Sequence, residues 1–185
     1  MKEQRISEVR ADELAGSGGM VIQGRAIVFE QPTTIHDPAG EYIEVIKRGA
    51  LDGADLTDST LIYNHDLTRV PLARTPKTMQ LRIDPAGLDM VAELPDTEDA
   101  RSVYQGVKRG DLRGLSFAFV VPQGGDSFDP ATNTRTIHKI SKVYEISVCP
   151  FPAYPTTSVE ARSAINSSVS RWQAIKKCNA ILLHG

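Results

Sequence analysis

The run Met79-Gln80-Leu81-Arg82-Ile83-Asp84-Pro85-Ala86-Gly87-Leu88-Asp89-Met90-Val91-Ala92-Glu93-Leu94 decides the fold class. Its two halves alternate apolar and polar residues, and the Asp-Pro-Ala-Gly between them has the chemistry of a tight turn, so it reads as an antiparallel hairpin. Pro95 ends it. Downstream the period changes: Ala100, Val103, Tyr104 and Val107 fall at i, i+3, i+4 and i+7, with acids early, Lys108-Arg109 late and Gly110 just beyond. The spacing predicts an amphipathic helix over 97–109 packed on the sheet. Gly110 to Gly114 then turn the chain into Leu115-Ser116-Phe117-Ala118-Phe119-Val120-Val121, a strand of high β-propensity with one hydroxyl in its middle.

Upstream, Arg5 to Arg10 and Met20 to Phe29 read as an opening hairpin around Gly16-Ser17-Gly18-Gly19, with Gly24 marking a bulge or bend. Gln31 to Gly40 reads as a polar loop in which His36 is a loop residue. Tyr42 to Ile46 is a short strand, and a turn-rich acidic segment runs to Ser59. Leu61-Ile62-Tyr63-Asn64-His65-Asp66 begins apolar and ends polar, a strand that leaves the core and delivers His65 at its rim. Leu67 to Pro76 is loop. Beyond Pro122, Gln123 to Asn133 reads as a mobile loop, followed by β-rich runs at Thr134 to Ile140 and Lys142 to Val148. Cys149-Pro150-Phe151-Pro152-Ala153-Tyr154-Pro155 closes the last strand rigidly. Strands outnumber helices without alternating with them, so the fold class is mainly β with flanking helices (α+β), an antiparallel sheet or barrel. Residues 1–160 form one domain, and 161–185 a C-terminal helix or tail.

A formal net charge of −2 with no basic stripe argues against nucleic-acid binding. Cys149 and Cys178 form no CxxC pair, so neither zinc nor a disulfide framework is expected, and no cofactor is implied. A charged N-terminus and the lack of a long apolar run predict neither signal peptide nor membrane span, and a reducing cytoplasmic compartment is the simplest setting.

Three polar residues stand where polarity is costly: His65 at a strand rim, Ser116 inside one apolar strand and Glu145 inside another. Read separately, each has a plain structural account as a satisfied polar group. Read together, they supply a hydroxyl nucleophile, an imidazole base and a carboxylate to hold the imidazole. A G-x-S-x-G elbow is excluded by the histidine-first order and the scarcity of helices. Cys149 has no basic neighbour to activate its thiol.

Gly24-Arg25-Ala26, Tyr63-Asn64-His65-Asp66, Gly114-Leu115-Ser116-Phe117-Ala118-Phe119 and Glu145-Ile146-Ser147-Val148 followed by Pro150, in this order, closely resemble the prohead maturation proteases of tailed double-stranded DNA phages. The resemblance spans about Val21 to Pro155. It implies a β-barrel with surrounding helices, related in fold to the herpesvirus protease assemblin. It further implies a serine endopeptidase inside the immature capsid, in a host cytoplasm or from an integrated prophage. Its substrates would be the major capsid protein with its scaffold segment, and itself, including the tail from Ala161; it could form a homo-oligomer. Carried over, the histidine is His65 and the serine Ser116. The third member is Glu145 or, by analogy with the second histidine of the herpesvirus enzymes, His138; Glu145 lies in the matching motif. Candidate oxyanion donors are backbone amides after Glu145 and the side chain of Arg113. The non-enzymatic alternative is a structural or scaffold β-barrel protein of the particle, in which Ser116 is a core hydroxyl.

Overall fold

The computed structural model describes residues 9–13, 19–37 and 40–150, and the expected C-terminal helix or tail lies outside them. Among the described residues twelve strands form three four-stranded sheets, accompanied by one helix. The first sheet has the order β1 (Val9–Glu13), β2 (Met20–Val28), β8 (Gly87–Leu94), β7 (Met79–Asp84). The second runs β10 (Asp126–Asp129), β11 (Thr134–Ile137), β4 (Gly40–Ile46), β3 (Thr33–Asp37), and the third β6 (Ala73–Arg74), β5 (Thr60–Tyr63), β12 (Lys142–Cys149), β9 (Gly114–Val120). Pairing is antiparallel except for β11 with β4 and β12 with β5. The described strands are mainly β as expected but close no barrel.

The hairpin that decides the class is β7–β8, with Asp84 opposite Gly87. Asp84 accepts from the backbone N–H groups of Ala86 and Gly87, closing the turn, and takes both guanidinium arms of Arg25 at 2.7 Å. Arg25 thus ties β2 to the turn. The register break in β2 lies between Arg25 and Ile27 rather than at Gly24. Ala26 and Ile27 at the bulge are both buried, as are the consecutive Val21 and Ile22 in the regular part of the strand. Gly87 permits the close crossing here, because a Cβ on it would meet the Ile27 carbonyl oxygen at 1.8 Å.

Helix α1 (Glu98–Arg109) follows the predicted period, burying Ala100, Val103, Tyr104 and Val107. Thr97 caps its start, accepting from Ala100 N–H at 3.4 Å, and Gly110 ends it with φ 80°. Three segments read as loops hold strands instead: Ala73–Arg74, within the expected loop from Leu67 to Pro76, pairs with β5, and the other two are longer. Thr33–Asp37 pairs with β4, where His36 meets Glu41 at 2.7 Å, and Asp126–Asp129 pairs with β11. Short polar strands of this kind carry no apolar alternation, and their partners stabilise them. Beneath the second sheet, buried Arg135 donates from Nε to Asp126 at 2.9 Å and from Nη1 to buried Glu44 at 2.8 Å. This gives Glu44, whose carboxyl is pushed up by burial, its compensating charge.

One core joins all three sheets, including Ile22, Ile27, Leu61, Met79, Leu88, Ile137 and Ile146. The third sheet turns Leu61, Leu115, Phe119, Ile146 and Val148 into it. The Phe117 ring, packed against that core, lies 5.2 Å from the Phe119 ring. The other face of the third sheet carries Ser116, Ala118, Glu145 and Ser147.

Candidate active site

That second face is built by register. Ser116 is paired with Ser147 and Ala118 with Glu145 across β9–β12, and paired residues of a ladder point to the same side. The bulge between Val143 and Glu145 resets the alternation, so that Ile146 and Val148 enter the core while Glu145 and Ser147 turn away from it. On the other side of β12, the parallel strand β5 ends at Tyr63, opposite Val148.

The chain then reverses. Asp66 N–H bonds the Tyr63 carbonyl at 3.0 Å, and the two residues between them, Asn64 and His65, have φ of 51° and 59°. Two successive positive φ angles belong to a primed turn, which folds the chain back over the sheet instead of away from it. Asn64 N–H donates to the Val148 carbonyl at 3.0 Å and His65 N–H to Ser147 Oγ at 3.0 Å. His65 is therefore held over β12, with only 5% of its side chain exposed, rather than standing free at the rim.

Its Nδ1 lies 2.6 Å from Glu145 Oε1. An ionised carboxylate only accepts, so Nδ1 carries the proton and Nε2 presents a lone pair in the neutral ring. Nε2 has no hydrogen-bond partner among the described residues. Glu145 itself is fully buried, and Oε1 also accepts from Ser147 Oγ at 2.5 Å. Ser116 is half-buried on the same face.

The other candidates separate from this cluster. His138 is exposed and bonds Ser127 Oγ through Nε2 at 2.8 Å, so the structure places Glu145 and not His138 against His65. Arg113 is exposed just ahead of β9, and the chain from Phe151 onward lies outside the described residues. Burial, reinforced by the charge of Glu145, pushes the Cys149 thiol up to about 12, which leaves it protonated and poorly nucleophilic. Ser147 is the polar contact that the sequence reading passed over. Its position two residues after Glu145 in an apolar strand was the available signal, since i and i+2 share a face.

A mainly β protein with a buried carboxylate–imidazole pair and a strand serine on one sheet face has the parts for serine-based acyl transfer. The family model of the caudovirus prohead serine proteases matches residues 6–171, and the chain belongs to that family. No curated protein and no solved structure matches it.

Proposed function

We propose that Ser116 is the nucleophile, His65 its general base and Glu145 the carboxylate that holds the base, in an endopeptidase that cuts the major capsid protein, its scaffold segment and its own chain inside the prohead. The observation that carries this reading is the His65–Glu145 bond through Nδ1, which leaves Nε2 as the proton acceptor on the face that bears Ser116. His65 Nε2 takes the hydroxyl proton as Ser116 Oγ attacks the scissile carbonyl. Imidazolium forms, with Glu145 stabilising its charge, and the proton passes to the leaving amine. Water then hydrolyses the acyl-enzyme by the same exchange. The herpesvirus-type barrel and a host-cytoplasmic setting belong to the same proposal, supported by the family and by the histidine and serine being carried on one mainly β scaffold.

Co-expression with the phage capsid protein and its scaffold tests it. Wild-type chain yields processed fragments, and Ser116→Ala yields none while retaining its circular dichroism and melting behaviour. Processing by the Ser116→Ala protein rules out the nucleophile and leaves the non-catalytic particle protein as the better account.

A further inference from the structure

We propose that Ser147 is a positioning residue for this site, a role that rests on the reading above. A serine hydroxyl has one proton to donate and two lone pairs. In Ser147 the proton goes to Glu145 Oε1 at 2.5 Å and a lone pair receives His65 N–H at 3.0 Å. His65 Nδ1 returns to the same Oε1 at 2.6 Å, so backbone amide, hydroxyl, carboxylate and imidazole close a ring of hydrogen bonds through one residue. The ring holds both ends of His65. It also secures a conformation that a non-glycine residue adopts at a cost, since Asn64 and His65 both have positive φ.

Two serines face each other across β9 and β12, and their surroundings divide the work. Ser147 is fully buried with its proton committed to a carboxylate, whereas Ser116 is half-buried. Ser147 therefore acts through its neighbours. Without it, Glu145 Oε1 loses a donor, the His65 amide loses an acceptor, and the turn is free to relax and displace Nε2 over the face that bears Ser116.

Ser147→Ala and Ser147→Cys test the role. Cysteine fills the site but is a weak hydrogen-bonding group, so it separates volume from hydrogen bonding. The first readout is the rate at which a fluorophosphonate labels Ser116, which needs no knowledge of the cleavage sequence. Both variants should label at least about tenfold more slowly, because an ångström of misplacement costs that much or more. The second readout, independent of activity, is the downfield proton resonance of His65 Nδ1–H, which should shift or broaden in both variants. Wild-type labelling and an unchanged resonance in folded Ser147→Cys overturn the positioning role while leaving the protease reading intact. Undiminished labelling of Ser116→Ala overturns the protease reading, whatever the Ser147 variants do.

Discussion

Replacing Glu145 by glutamine removes a charge while preserving shape. The carboxylate is fully buried and receives both the His65 Nδ1 proton and the Ser147 hydroxyl on one oxygen. Under the proposed roles His65 becomes imidazolium in the transition state, and positive and negative charge centres then stand about 4 Å apart. At an effective dielectric of about 20 their attraction is about 4 kcal/mol. A neutral amide forfeits most of it, which corresponds to a rate loss of about 10³-fold. The amide can also turn its NH₂ towards Nδ1, which favours the tautomer with the proton on Nε2, where it cannot accept from Ser116; that pushes the loss towards ~10⁴. The assay is fluorophosphonate labelling of Ser116, with capsid-protein processing alongside and thermal melting as the fold control. Melting should move by no more than the few degrees that a single hydrogen bond is worth. Labelling by folded Glu145→Gln within about threefold of wild type would refute the reasoning, since so small a change is under 1 kcal/mol of barrier.

Arg135→Ala leaves Glu44 and Asp126 buried without their guanidinium; urea denaturation should show a loss of about 3–5 kcal/mol, and a loss under about 1 would mean that the carboxylates simply protonate. Cys149 should resist iodoacetamide at pH 8 in the native protein and react once unfolded, because burial and Glu145 keep its thiol protonated; rapid native alkylation of the Cys149 peptide contradicts this. Asp55 is held at about 2 by hydrogen bonds from the Thr57 side chain and backbone and by Lys142. A folded-state value below the unfolded one contributes stability that is present above about pH 4 and lost as pH falls towards 2, so Asp55→Asn should flatten that part of the acid-unfolding curve.

The legible parts of the sequence were local. Met79 to Leu94 carries its own turn chemistry, and Glu98 to Arg109 its own caps and period, so neither needs a partner to be recognised. Thr33–Asp37 and Asp126–Asp129 were not legible: their residues are polar, and they become strands only by pairing with Gly40–Ile46 and Thr134–Ile137. The bulge at Ala26 has no marker in the sequence: Gly24, the residue that suggests one, lies in regular register with Met90. Of the site, the residue types were visible and their contacts were not. His65 and Glu145 are 80 positions apart and meet through a parallel pairing that no local pattern encodes. The alternation of β12 held one more clue, since Glu145 and Ser147 had to share a side.

The parallel pairing of β5 with β12 also has a consequence in time. During synthesis His65 leaves the ribosome long before Glu145 and Ser147 exist, and Ser116 emerges between them. The turn that carries His65 has its two anchors, Ser147 Oγ and the Val148 carbonyl, on the last described strand. A nascent chain ending before Lys142 therefore holds a serine and a histidine with nothing to orient them. Under the proposed roles, proteolytic capacity switches on only with the insertion of β12, the same event that adds Ile146 and Val148 to the core. On that reading the insertion of β12 and the arming of the proposed nucleophile are one step, and a nascent chain that ends before β12 does not yet cut.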